Sequence, residues 1–103
     1  MQLLNPDLEI SDYKLYSINQ HLFVVTKQGL RKLDMRTVSA VYWEPNDYCG
    51  YPTGEYKVDL PIDGYRFITQ NETDAITLFN FIQSLMLKGA SDDLTLVQRS
   101  QSY

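Results

Sequence analysis

The feature that most constrains the fold of this chain is an apolar stripe between Asn71 and Gly89. Its main members recur at the i, i+3, i+4 and i+7 spacing of one helix face: Ala75, Leu78, Phe79, Ile82, Leu85 and Met86. Three further apolar residues widen the stripe: Ile76, Phe81 and Leu87. Asn71 is a favourable N-cap, and Lys88-Gly89 is a common helix end. The sequence therefore predicts one helix over residues 71–88, packed across a sheet.

The residues before this helix have the composition of antiparallel strands. Five runs are predicted as strands: Tyr13–Ile18, His21–Lys27, Thr37–Trp43, Tyr56–Leu60 and Tyr65–Thr69. Leu30–Met35 alternates only imperfectly. Asn19-Gln20, Gln28-Gly29 and Pro61–Gly64 are predicted turns. The expected fold class is α+β: a bent antiparallel sheet or partial barrel of five to seven strands, closed by one C-terminal helix.

The 103 residues form one predicted domain, with strands over residues 13–69. Residues 1–12, with Pro6 and three acids, are predicted as a lead-in segment. Residues 90–103 are mostly polar and are predicted as a partly ordered tail. Pro45–Glu55 is predicted as the longest loop, because it is rich in turn-forming residues: Pro45, Asn46, Asp47, Gly50, Pro52 and Gly54.

Charge and hydropathy limit the classes of partner. The formal net charge is −4 and the basic residues are dispersed, so no nucleic-acid partner is expected. No apolar run approaches the roughly 20 residues of a membrane-spanning helix, so no membrane partner is expected. The first ten residues lack the basic and apolar regions of a secretory signal. A single cysteine is compatible with a reducing compartment, and we expect a cytoplasmic protein.

The segment Leu33–Val41, which contains the V-x-x-V rhythm of Val38 and Val41, resembles a strand of bacterial PH-like domains. The strand, turn and terminal helix within Gly64–Leu87 are similar to the end of that fold. The resemblance covers residues 13–88 and implies a binding scaffold. It does not imply phosphoinositide binding, because the first hairpin turn, Asn19-Gln20, has no Lys or Arg.

The sequence offers little chemistry for catalysis. Cys49 could act as a nucleophile only with a base that generates its thiolate, and His21 is the one candidate. One histidine and one cysteine are too few for a readable zinc site. No phosphate-binding glycine loop or hydrolase motif is present. We therefore expect no enzyme activity, no metal and no cofactor, and a small enzyme using His21 or Cys49 is kept as the remote alternative.

The unusual feature is a cluster of tyrosines around the predicted loop, in a chain with eight tyrosines. Tyr and Trp provide large contact areas at a low cost in conformational entropy. The charges among them are mostly acidic, which favours a protein partner over single-stranded nucleic acid. The expected function is a non-enzymatic protein-interaction module, and its predicted partner-binding residues are Tyr42, Trp43, Asp47, Tyr48, Tyr51 and Tyr56.

Two other interpretations of this surface remain open. The small size and acidity also suit an inhibitor of the phage type, which blocks a host nuclease or defence protein. Self-association through an exposed strand edge or through the aromatic residues would make the chain a homo-oligomer.

Overall fold

The structure is a computed structural model that describes residues 5–89. Within these residues, seven strands precede one helix: β1 (Leu8–Ile10), β2 (Tyr13–Ile18), β3 (His21–Thr26), β4 (Gly29–Asp34), β5 (Tyr42–Tyr48), β6 (Tyr51–Leu60), β7 (Tyr65–Thr69) and α1 (Glu72–Gly89). The predicted tail, residues 90–103, lies outside the described residues. Part of the predicted lead-in segment forms β1, which pairs with β2.

The strands form two antiparallel sheets. One sheet has the order β1-β2-β3-β4 and the other the order β5-β6-β7. Helix α1 contacts β5, β6 and β7 of the second sheet and β1 of the first. The predicted α+β class, with antiparallel strands and one C-terminal helix, is confirmed.

The core lies between the two sheets and the helix. Its buried apolar residues are Ile10, Leu15, Leu22, Val24, Leu33, Met35, Val38, Val58, Leu60, Phe67, Ala75, Leu78 and Ile82. Phe67 is the largest fully buried side chain. The rings of Tyr13 and Tyr65 approach it edge-on, with centroids 5.1 and 4.8 Å away. Phe67 therefore joins the second sheet to β2 of the first.

The start of α1 follows the predicted capping scheme. The Asn71 Oδ1 atom accepts a hydrogen bond of 2.8 Å from the backbone N–H of Asp74. The main face of the stripe is buried or half-buried, whereas Leu87 is 59% exposed and does not widen the buried face as predicted. Among residues 5–89, no helix has the length and apolar character needed to cross a membrane.

The predicted strand over Thr37–Trp43 is wrong for most of its length. Residues 38–41 form no strand, although Val38 is buried, and β5 begins only at Tyr42. This segment carries the chain from β4 in one sheet to β5 in the other. No strand within residues 5–89 pairs with it, so its alternating side chains have no ladder to join.

The predicted loop over Pro45–Glu55 is also wrong. These residues belong to β5 and β6, which form an antiparallel hairpin. The only residues outside the two strands are Cys49 and Gly50. A two-residue turn therefore replaces the expected long connection.

Candidate protein-interaction site

The tip of the β5–β6 hairpin is a tight turn. Tyr48 and Tyr51 are directly opposite each other, and Cys49 and Gly50 connect them. Both connecting residues have positive φ angles, 52° and 85°, as a type I′ turn requires. The Asp47 Oδ2 atom accepts a hydrogen bond of 3.1 Å from the Gly50 N–H. This turn holds the two tyrosines at a fixed spacing.

Residues 47–54, here called the distal hairpin, form a two-stranded ribbon of β5 and β6 that extends past the end of β7. Strand β7 pairs with β6 only along Tyr56–Leu60, so the earlier residues of β6 have only β5 beside them. Every residue of the distal hairpin is exposed. A paired segment with both faces open contributes little to the core and is available for contact.

A bulge separates the distal hairpin from the body of the sheet. Three residues of β6, 53–55, lie opposite one residue of β5, Asn46. Gly54 takes the positive φ of 85° that this irregularity needs. The Thr53 hydroxyl donates to the Asn46 carbonyl at 3.3 Å and accepts from the Glu55 N–H at 3.3 Å. Local hydrogen bonds therefore fix the conformation of a ribbon that lacks a core.

Tyr48 and Tyr51 are the most exposed large apolar side chains of the described residues, each with 76% of its surface accessible. Because they are cross-strand partners, their rings leave the ribbon on the same face. A tyrosine pair held on a turn offers apolar area with polar hydroxyl ends, which is common in protein-binding surfaces. The predicted involvement of these two residues agrees with their accessibility and stays a prediction.

The six predicted partner-binding residues do not form one surface. Trp43 and Tyr56 pack against the core, with ring centroids 6.3 Å apart. Tyr42 lies on the opposite face of the second sheet, because it pairs with Asp59 while Trp43 pairs with Val58. Asp47 caps the turn. Only the tip tyrosines, Tyr48 and Tyr51, combine full exposure with mutual proximity.

A polar cluster on the outer face of the second sheet was missed by the sequence interpretation. Asp59 is 5% exposed, and its two carboxylate oxygens accept hydrogen bonds from Arg66 Nε at 2.7 Å and from the terminal guanidinium at 3.2 Å. Lys57 and Glu44 form an ion pair of 2.9 Å on the same face. Both pairs join cross-strand neighbours. Finding them requires the strand register, which the sequence alone does not supply.

Ionisation in this cluster follows its geometry. Burial acts to raise the pKa of Asp59, but the hydrogen bonds from Arg66 and the interaction with Tyr42 outweigh it, so this pKa lies below its usual value. The same interaction with Asp59 raises the pKa of Tyr42. The carboxylate of Asp59 therefore stays charged, and it stabilises the sheet only while it is charged.

Asp59→Asn is expected to reduce the loss of unfolding free energy that acid causes. The pKa of Asp59 is lower in the folded state than its unfolded value of about 3.9, so its contribution is complete above that pH. It is lost as the pH falls through the folded-state pKa. At pH 7 we expect a loss of about 1 kcal/mol, because Arg66 is half-exposed and the amide oxygen of Asn can still accept a hydrogen bond from it.

The measurement is urea unfolding between pH 7 and pH 2, followed through the fluorescence of Trp43, the single tryptophan. The wild type should lose more unfolding free energy over this range than Asp59→Asn. Asp12→Asn, at an exposed position, controls for the loss of one charge. Equal losses in the wild type and Asp59→Asn would contradict the role given to Asp59.

The two residues considered for catalysis lie on different sheets. Cys49 is exposed at the tip of the hairpin in the second sheet. His21 begins β3 in the first sheet, where its Nδ1 atom lies 3.1 Å from the Asn19 carbonyl oxygen. Within residues 5–89, no three His, Cys, Asp or Glu side chains are close enough together to hold a metal ion.

Comparison with known proteins finds no matching family model, no matching curated protein and no matching solved structure.

Proposed function

We propose that this chain is a non-enzymatic protein-interaction module whose distal hairpin binds a protein partner. The observation that carries the proposal is the tyrosine pair at the tip. Tyr48 and Tyr51 face the same way, are 76% exposed, and stand on a ribbon that takes no part in the core. Folding does not require two such rings there, whereas binding would use them as anchors.

The scaffold is consistent with a PH-like domain, which we also propose. In the described part of the chain, seven antiparallel strands in two sheets are followed by one packed helix, which is the order that the resemblance implies. In a scaffold of this kind, the sheets hold loops and hairpins in place, and the binding residues are found on those projections. The distal hairpin is such a projection.

The chemistry of the hairpin favours a protein over a nucleic acid. No Lys or Arg occurs from Glu44 to Glu55, a stretch that includes three acids. Phosphate groups would be repelled by these charges, whereas an apolar pocket rimmed by polar or basic groups would accept a tyrosine ring and its hydroxyl. We propose a pocket of this kind on the partner.

Tyr48→Ala combined with Tyr51→Ala is expected to abolish capture of the partner without loss of stability. The tagged full chain is used as bait in an extract of its native cell, and captured proteins are identified by mass spectrometry. A protein that binds through the tip should fall by more than about 100-fold with the double variant, since two hot-spot rings contribute about 2 kcal/mol or more each. Thermal unfolding should stay within about 2 °C of the wild type.

Ile62→Ala is the matched control, because Ile62 is 70% exposed in the turn between β6 and β7 and lies outside the distal hairpin. It should capture the same proteins as the wild type. If the double variant retains all captured proteins at wild-type levels, the distal hairpin is not the binding site.

Ionic strength separates this proposal from the inhibitor of the phage type. An acidic inhibitor that occupies a basic nucleic-acid channel should bind much more weakly as salt rises, because long-range attraction between charges is screened. A complex anchored by Tyr48 and Tyr51 should change little between low and high salt. The captured complex is therefore washed at both salt concentrations.

A further inference from the structure

Strand β4 forms an open edge of the four-stranded sheet. It pairs with β3 on one side, and no other strand within residues 5–89 pairs with it. The Met35 N–H donates to the Gln20 carbonyl at 2.9 Å, which continues the β3–β4 ladder. Along an antiparallel strand, the backbone N–H and C=O groups of successive residues point alternately to the neighbouring strand and away from it. Since Met35 bonds toward β3, Leu30 and Lys32 direct their backbone groups to the open side.

The other sheet edges have features that restrict pairing. Strand β5 contains Pro45, which has no N–H to donate. The Ile68 N–H of β7 donates to the hydroxyl of Tyr13 at 2.9 Å. Strand β1 is only three residues long. Strand β4 is six residues long and contains no proline. Among the described residues, no side chain forms a hydrogen bond with the backbone N–H or C=O groups of Leu30 and Lys32.

This edge is basic although the chain is acidic overall. Arg31 and Lys32 are exposed, and neither forms an ion pair within the described part of the chain. The Arg31 guanidinium lies 5.3 Å from the centre of the Tyr65 ring. Arg36 is tied to Asp34 by an ion pair of 2.9 Å just beyond the strand. A strand added here would meet two cations, one on each face of the sheet.

A cavity of about 210 Å³ opens beside the same edge on the inner face of the sheet. Val24 and Tyr65 are among the residues that line it, and Arg31 lies at its side. On the outer face, Leu30 is 65% exposed next to its cross-strand partner Val25. A strand added to β4 would therefore find apolar contacts for alternate side chains on both faces.

We propose that the β4 edge binds an extended, acidic segment of a protein partner by adding it as a fifth strand to the first sheet. Backbone hydrogen bonds to Leu30 and Lys32 would provide affinity. Carboxylates beside Arg31 and Lys32, and one apolar side chain in the cavity, would provide selectivity. This surface is separate from the distal hairpin, so the inference does not depend on the proposed function above.

A second copy of the chain fits this edge less well. Pairing of two β4 strands would bring the Arg31-Lys32 pairs of both copies onto one ladder, and like charges that face each other across strands are destabilising. An acidic strand would instead neutralise both cations. The same cations discourage unwanted pairing while they attract a segment of opposite charge.

The test uses an array of synthetic peptides and the labelled full-length chain. The peptides have eight residues with blocked ends, in which Val, Ile, Phe or Tyr alternates with Glu in one series and with Lys in a matched series. Peptides of the Glu series should bind and their Lys counterparts should not. Lys32→Glu should reduce binding of the best Glu peptide by about tenfold or more, as expected for a lost charged contact.

Two controls separate strand addition from simple charge attraction. Lys14→Glu makes the same charge change at an exposed position on β2 of the same sheet and should leave binding within about twofold. In two further versions of the best peptide, either the odd-numbered or the even-numbered amides are N-methylated. One version should lose binding and the other should keep it, because only every second amide faces β4. This second control uses the wild-type chain, so it does not depend on the folding of any variant.

Three results would overturn the proposal. The first is that the Glu series binds no better than the Lys series. The second is that both N-methylated peptides still bind, and the third is that Lys14→Glu weakens binding as much as Lys32→Glu. Sedimentation of the chain alone adds a fourth: a dimer that Lys32→Pro disrupts, because proline removes the outward-facing N–H at this position, would assign the edge to a second copy.

Discussion

Leu78→Asp is expected to leave the chain unfolded at 25 °C. Leu78 is fully buried where α1 packs on the second sheet. The substitution removes about 1.5–3 kcal/mol of apolar burial and adds a carboxylate without a partner, at a cost of several kcal/mol more. The total approaches or exceeds the stability of about 5–15 kcal/mol that is typical of a native domain.

Circular dichroism and the fluorescence of Trp43 would measure this effect through the loss of a cooperative thermal transition. Asn80→Asp introduces the same side chain at an exposed position of the same helix and should unfold within a few degrees of the wild type. A cooperative transition in Leu78→Asp near the wild-type temperature would mean that α1 does not pack on the sheet through this face.

Phe67→Ala should be the most damaging substitution that removes atoms without adding charge. Phe67 is fully buried and makes edge-on contacts with Tyr13 and Tyr65. Its truncation should lower the free energy of unfolding by about 3–5 kcal/mol, because the cavity lies between two sheets that do not easily collapse onto it.

Chemical denaturation with the Trp43 signal would give this difference. Ile62→Ala removes a comparable apolar side chain from an exposed turn and should stay within about 0.5 kcal/mol of the wild type. A loss below about 1 kcal/mol in Phe67→Ala would contradict the position of Phe67 between the two sheets.

The parts of the fold that the sequence predicted correctly are those in which local pattern and burial agree. Helix α1 has a buried face with helical spacing and an N-cap that needs only the next three residues. Strands β2, β3 and β7 have predicted bounds that differ from the observed ones by at most one residue. Strand β4 shows only imperfect alternation in its sequence, because Leu30, Arg31 and Lys32 are all exposed at an edge.

The distal hairpin was predicted as a loop because its composition is that of loops. Proline usually interrupts sheets, but Pro45 lies on β5, an edge strand, and Pro52 lies in the two-stranded ribbon, and a missing N–H costs little at an open edge. Gly54 marks a bulge instead of a turn, and the turn itself begins with Cys49, in place of the Asn or Asp usual there. Only the pairing of the two strands distinguishes these cases, and composition does not specify that pairing.

The candidate site was partly accessible to sequence reasoning. The unusual number of tyrosines directed attention to Tyr48 and Tyr51, which prove to be the most exposed of the predicted residues. Alternation over residues 56–60 predicted that Tyr56 packs inward, as it does, but the sequence did not indicate which of Tyr42 and Trp43 packs on the core, because that depends on strand register. For the same reason it did not reveal Asp59 with Arg66, or the open groups of β4.

The bulge at Gly54 and the turn at Cys49-Gly50 also bear on how this chain can change over evolutionary time. Between them, no side chain contributes to the buried core, and the conformation depends on local hydrogen bonds and on two glycines. Positions 48, 51 and 52 can therefore accept new side chains with little loss of stability. Substitutions in the distal hairpin could therefore change the binding partner during evolution without changing the rest of the fold.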